Sequence, residues 1–240
     1  MSTRALGAIG EPIARREDPR LLTGRGKYVD DLGQHALEVA FVRSPHAHAR
    51  ILDIDVAGAL DVEGLVAIYT YDDLEGRVAE PLPILIPHPA LTHGRTQYAL
   101  AKDEVNHVGE AVAMVVAADR YVAEDAAGLI RVDYEPLPPV VGVESAREAS
   151  KLVHEDVPGN VAANMVQERG DARAAIAAAP HVIELDLAIE RSASTPLEGK
   201  GVYARWDADD ASLRVYSATQ ASTSVRSAIA AKLGLPPDRV

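Results

Sequence analysis

The stretch Val108–Pro138 constrains this chain most, because its apolar period changes twice within one short span. Ala111 to Ala118 is an unbroken run of small or apolar residues, the pattern of a strand buried on both faces. Asp119 follows where an N-cap belongs, accepting from the orphan amides of a helix. Val122, Ala126, Leu129 and Ile130 then fall at i, i+4, i+7 and i+8, one apolar stripe. Ile130, Val132 and Tyr134 next alternate with Arg131, Asp133 and Glu135, a strand buried on one face. Pro136 and Pro138 close it, since neither can donate to a ladder. Strand, helix and strand in this order predict a βαβ crossover, right-handed by default. Ile51–Val56, a helical piece over Ala57–Val62 and Leu65–Thr70 repeat the scheme, and two such units of parallel character predict an α/β domain.

The flanks are read against that centre. Residues 1–20 are charged, contain Pro12 and Pro19, and read as an extended arm. Thr23, Gly24, Gly26 and the Asp30–Asp31 pair carry turn chemistry, with the two acids solvated. Leu37, Val39 and Phe41 alternate as a strand that Ser44–Pro45 breaks. On a strand, His46 and His48 share one face, as a metal pair requires; no carboxylate or third histidine lies near them in sequence, so they are expected to make structural hydrogen bonds. Pro81, Pro83, Pro87 and Pro89 make Glu80–His93 a surface excursion. The first domain closes near Pro139, and a polar, turn-rich linker follows. Beyond it Asp171 caps an alanine-rich helix to Ala179. Val182–Ile189, Val202–Trp206 and Leu213–Val215 then form a three-stranded meander. Ser222 or Thr223 caps a last helix carrying Val225, Ile229 and Leu233, with Gly234 at C′ and Pro236 as its stop.

Composition narrows the partners. A chain of 240 residues buries a real core, and with only 4% aromatics that core must be Ala, Val, Leu and Ile. A net charge of −12 argues against nucleic acid and against an anionic membrane surface, both of which need clustered Lys and Arg. No apolar run reaches the roughly 18 residues that span a bilayer. The opening residues lack the apolar core of a secretory signal, so a cytoplasmic protein is expected. Without cysteine the chain cannot ligate an iron–sulfur centre through thiolates. No G-x-G-x-x-G, phosphate loop or H-E-x-x-H is present. Gln220 is the one polar residue with an arguable site position, in the loop between a strand and a helix N-terminus.

Four ordered segments carry a resemblance. VGEAVAMVVAADRYVAEDAA with VDYEPLP, GEPIARREDPRLLTGRGKYVDDL, FVRSPHAHARI, and YSATQ with VRSAIAAKLGLPPDRV are similar to blocks in the large subunits of molybdenum hydroxylases, the family of xanthine dehydrogenase, aldehyde oxidase and aerobic carbon monoxide dehydrogenase. The resemblance implies an α/β (α+β) chain. Its expected parts are an arm over 1–20, an α/β hammerhead-like domain over 21–140, a linker over 141–160 and the start of a molybdopterin-binding domain over 161–240. Ala218-Thr219-Gln220 aligns with a family glutamine whose amide hydrogen-bonds an oxo ligand of the molybdenum, so Gln220 is the expected cofactor-binding residue. The family often continues with proline and histidine, where this chain has Ala221, Ser222 and Thr223. Thr195–Gly199 resembles a segment facing the substrate pocket and makes Glu198 a second candidate; on chemistry alone Glu198 reads as a structural carboxylate satisfying backbone amides at a strand start.

The implied activity is hydroxylation of an aldehyde, an N-heterocycle or carbon monoxide, with water as the oxygen source and a molybdenum–molybdopterin cofactor. The family's glycine-rich cofactor loop and its glutamate base lie outside these residues, so no catalytic residue is expected in this chain and it reads as the first third of such a subunit. Expected partners are the remaining large-subunit polypeptide, an iron–sulfur subunit, an FAD subunit and a small-molecule substrate. The competing reading is a non-catalytic structural or assembly protein sharing the fold. Val225, Ile229 and Leu233 are expected to lack a covering element, so the isolated chain is expected to associate through its C-terminal segment and to bind no cofactor.

Overall fold

The largest fully buried side chains are only valines (Val105, Val112 and Val115), so the elements approach one another closely. A computed structural model describes residues 10–32, 36–85, 87–189 and 195–240. In chain order it contains helix α1 (Asp18–Leu22) and strands β1 (Glu38–Arg43), β2 (Ala49–Asp55), β3 (Leu65–Tyr69), β4 (Glu104–Val105) and β5 (Ala111–Ala117). Helix α2 (Arg120–Leu129), strand β6 (Arg131–Pro136) and helices α3 (Val143–Glu148) and α4 (Ala172–Ala177) follow. Strands β7 (Val202–Asp207) and β8 (Ser212–Ser217) and helix α5 (Ser222–Leu233) complete it. Contacts divide the chain into two units, residues 36–194 with 221–240, and residues 1–35 with 195–220.

In the larger unit the strands alternate between two sheets as the chain proceeds. One sheet has the order β1-β5-β3 and the other β4-β2-β6. Every pairing is antiparallel. The expected parallel crossover is therefore corrected: β5, α2 and β6 form as read, but they carry the chain from the first sheet to the second. The smaller unit of the pattern, β2 to β3, carries it from the second to the first. Local periodicity fixes an element and its inward face; which edge it joins is a non-local choice. Two clusters fill the interior, one around Ala113, Val115, Ala126 and Ile130, the other around Ala49, Val105 and Val112. Ile54 and Val132 pack against both and join the two sheets.

The Asp119 cap forms, its Oδ1 accepting from Val122 N at 3.0 Å. The buried stripe of α2 runs through Ala123 and Ala126, continued by Ile130 just past its end, and Leu129 is exposed. The reason is distance: α2 lies on β1 and β5, and alanine permits the close approach that leucine would block. Burial of β5 on both faces also needs correction. Ala113, Val115 and Ala117 are sealed; on the other face Val112 is buried while Met114 and Val116 are half-buried. β1 forms as read, yet Ala40 and Val42 turn inward and Val39 and Phe41 outward, again the smaller set against α2.

Downstream, residues 141–160 are not featureless. They contain α3 and a turn over Pro158–Asn160, latched by the Asn160 side chain, which accepts from Val153 N (2.9 Å) and donates to Lys151 O (2.8 Å) and Ala146 O (3.1 Å). Asp171 caps α4 by accepting from Ala174 N at 2.9 Å. Residues 182–189 form no strand, so the meander is a two-stranded hairpin among the described residues. Alternation there specifies a face, but no ladder partner is supplied.

Helix α5 also departs from expectation in two ways. Its N-cap is Ala221; Ser222 and Thr223 already have helical positions and do not cap it. An earlier segment meets its last turn: Arg77 Nη1 donates to Ala231 O (3.1 Å), while Lys232 Nζ donates to Arg77 O (2.7 Å) and Glu80 O (3.0 Å). On the apolar stripe Val225 and Ile229 are half-buried and Leu233 stays exposed. Gly234, at φ 68°, ends it as read, with Leu235 N reaching back to Ala230 O at 2.9 Å.

In the other unit, part of the expected arm is helical. Residues 1–9 lie outside the described residues, but Asp18–Leu22 forms α1, since a proline in the first helical turn costs no hydrogen bond. A 3-10 turn over Val29–Asp31 and the β7–β8 hairpin complete this unit. Tyr203 and Tyr216 stack across the hairpin with ring centroids 5.8 Å apart.

Candidate functional site

The β7–β8 hairpin places the first candidate. β8 ends at Ser217, the Ala218 amide donates to Gly201 O at 3.2 Å, and Gln220 stands two residues further on. Its side chain is exposed. A neutral amide held at the end of a ladder offers one donor and one acceptor without a charge to neutralise. That chemistry fits one contact to an oxygen atom of an anionic or oxo-bearing group.

Glu198 sits elsewhere in chemistry. Its Oε1 accepts from Val29 N at 2.8 Å, in a part-buried contact that spans 169 positions of sequence. The carboxylate thus satisfies the leading amide of the 3-10 turn, a backbone-capping task. Asp31 makes the equivalent local contact, its Oδ2 accepting from Tyr28 N at 2.9 Å. The two structural carboxylates meet on one turn, and no sequence signal announced the longer-range one. The blocks GKYVDDL and TPLEG are far apart in sequence and become neighbours only in the fold.

His46 and His48 diverge instead of sharing a face, because they lie in a bend and not on a strand. The His46 ring packs edge-on against Tyr134 with centroids 4.9 Å apart. His48 Nδ1 lies 3.2 Å from Pro138 O, and its Nε2 lies 3.7 Å from the Glu104 carboxylate. The expected structural hydrogen bond is therefore seen only at His48 Nδ1; His48 Nε2 is buried without a hydrogen-bond partner, and the His46 ring packs instead of bonding. Among the described residues no three His, Cys, Asp or Glu side chains are arranged to hold a metal.

A polar cavity of about 610 Å³, missed by sequence reasoning, opens beside His48, between residues 95–110 and 153–156. Arg95, Lys102, Glu104, Glu110, His154 and Asp156 line it with both charge signs. Arg95 Nη1 and Asp156 Oδ1 pair at 2.5 Å. That guanidinium holds the Asp156 carboxyl below the usual range. Burial pushes the His154 imidazole down, and Arg95 adds to the shift against opposing pulls from Asp156 and Glu104. Burial likewise raises the Tyr134 phenol, which the neighbouring Ser44 hydroxyl partly offsets.

The pattern of the aldehyde oxidase and xanthine dehydrogenase a/b hammerhead domain matches residues 23–138, and that of the molybdopterin cofactor-binding domain matches residues 153–240. The chain is 34% identical to the nicotine 6-hydroxylase large subunit of Paenarthrobacter nicotinovorans, over 96% of this chain and 28% of that protein. It is also 34% identical to the carbon monoxide dehydrogenase large chain of Afipia carboxidovorans, over 98% of this chain and 30% of that one. Among solved structures, quinoline 2-oxidoreductase from Pseudomonas putida superposes with a TM-score of 0.81 at 36% identity, covering 95% of this chain and 29% of that one. The chain belongs to the xanthine dehydrogenase and aldehyde oxidase family of molybdenum hydroxylases, as the sequence blocks implied. It spans under a third of the length of these relatives.

No helix among the described residues is long and apolar enough to cross a membrane. The nicotine 6-hydroxylase large subunit and the carbon monoxide dehydrogenase large chain are, as their names say, parts of multi-subunit assemblies.

Proposed function

We propose that this chain supplies the hammerhead domain and the opening part of the cofactor domain of a molybdenum hydroxylase large subunit, with Gln220 as its contact to the cofactor. The observation that supports the reading is the position of Gln220: an exposed amide two residues beyond the Ala218–Gly201 hydrogen bond at the end of β8, inside the segment matched by the molybdopterin-binding pattern. When bound, the molybdenum cofactor supplies the two-electron redox chemistry of hydroxylation. Gln220 would orient it by donating a side-chain N–H to one of its oxygens, an electrostatic contribution. The substrate is an aldehyde, an N-heterocycle or carbon monoxide, the range spanned by the relatives' names. Iron–sulfur and FAD groups to carry the electrons away would sit on partner subunits, consistent with the absence of cysteine from these 240 residues. The assembly is cytoplasmic, with residues 141–160 linking the two functional domains.

The test is Gln220→Ala in the assembled enzyme. Loss of one preorganised donor is expected to lower kcat by roughly ten- to a thousandfold. Molybdenum content and thermal midpoint stay at the wild-type level, because the side chain is exposed. Unaltered turnover with a lowered midpoint overturns the reading and makes Gln220 a structural residue.

A further inference from the structure

We propose that the N-terminal turn Tyr28–Leu32 is a positioning element for Gln220, clamped by Glu198 and acting through Gly201. The inference rests on the reading of Gln220 given above, and three contacts inside one unit carry it. Glu198 Oε1 takes the Val29 amide at 2.8 Å, so the turn is tied to the loop that leads into β7. The Val29 side chain then lies against Gly201. A Cβ built on Gly201 would stand 3.3 Å from Val29 Cβ and 3.4 Å from Val29 Cγ1, so any larger residue there would press on Val29. The Gly201 carbonyl accepts from Ala218 N at 3.2 Å, closing the ladder two residues before Gln220.

Each contact constrains the next. The carboxylate makes a charge-assisted bond to an amide that has no helical partner, the strongest kind of cap available to a single turn. With Val29 held, Gly201 is backed on one side and bonded on the other. Gly201 is thereby kept where its carbonyl meets the Ala218 amide at the end of β8. The sequence therefore uses residues near the start of the chain to set the direction in which a loop near position 220 leaves its sheet. Glu198 reaches no reacting group in this arrangement; it acts through Val29 and Gly201, as a positioning residue.

Amide hydrogen exchange of the 240-residue chain, resolved by NMR, tests the coupling without any cofactor. Glu198→Ala is expected to speed exchange at Val29 at least about tenfold and at Ala218 severalfold, with Val115 unchanged as the fold control. Glu198→Gln keeps an acceptor oxygen and is expected to restore both sites. Gly201→Ala is expected to speed Ala218 while leaving the Val29–Glu198 bond in place, and it substitutes for Glu198→Ala if that variant does not fold. Faster exchange at Val29 with Ala218 unmoved in Glu198→Ala, or an unmoved Ala218 in Gly201→Ala, overturns the proposal.

In the assembled enzyme Glu198→Ala is expected to lower kcat with little change in KM, and Glu198→Gln to recover most of it. The two readings fail separately. Wild-type turnover in Gln220→Ala removes the cofactor role but leaves the exchange coupling intact. Uncoupled exchange with a damaged Gln220→Ala enzyme removes the positioning role alone.

Discussion

Strand β5 and residues 182–189 read alike in sequence and end in opposite environments. Both carry a strand pattern, an unbroken apolar run in β5 and an alternating one in residues 182–189. Val115 of β5 is fully buried between β1 and β3, whereas Ile183 and Ile189 are 92% and 94% exposed and no strand forms around them. The difference is partners. β5 finds two edges and the face of α2; the second segment finds none among the described residues. An apolar pattern is a statement about which face a strand would bury. Burial itself needs a surface that the pattern does not specify.

The comparison is broken most directly by one charge in each segment. Val115→Asp places a carboxylate among Ala113, Ala126 and Ile130, and is expected to cost roughly 3–5 kcal/mol, the penalty of an uncompensated buried charge. Leu187→Asp, on an exposed side chain, is expected to stay within about 0.5 kcal/mol. It should also lower any self-association seen by size-exclusion chromatography, because it interrupts the free apolar face. Denaturant unfolding measures both costs, and similar values for the two variants would refute the contrast.

A smaller effect separates the two capped helices. Asp119 caps α2, which lies on β1 and β5, so Asp119→Ala is expected to lower global stability by about 1 kcal/mol. Asp171 caps α4, which buries no residue. Asp171→Ala should therefore reduce helix signal in circular dichroism and leave the unfolding midpoint unchanged. A shift of the midpoint in Asp171→Ala equal to that in Asp119→Ala would show that α4 is integrated into the core.

The smallest effect is one of pH and concerns the segment between these regions. His154 has a folded pKa below its ordinary value near 6.5, so the fold favours the neutral ring. That contribution is present above pH 6.5 and is lost as pH falls through the folded value. Asp156, held down by Arg95, contributes above its ordinary 3.8 and loses its part only at more acid pH. Exchange or proteolysis at residues 151–160 is therefore expected to rise in two steps on acidification, the His154 step first. His154→Phe, which cannot take up the proton, should abolish the first step and leave the second. A first step that survives in that variant belongs to another group.

Sequence alone determined the elements whose signals are local. The Asp119 and Asp171 caps, the Gly234 stop and the alternating face of β6 all depend on residues within one or two turns of each other. It also determined an interior of small aliphatic side chains, and through four ordered blocks it pointed to the family and to Gln220. Tertiary structure decided what depends on distant residues. It put β5 and β6 in different sheets, turned Val39 and Phe41 outward because only Ala40 and Val42 fit under α2, and laid α5 on Arg77 and Glu80. It also brought Glu198 to Val29. A cap is chosen by a few backbone dihedrals and one side chain, and those are written in adjacent residues. Pairing a strand edge or filling a gap compares every surface in the molecule at once, so one residue's neighbours in sequence cannot specify it.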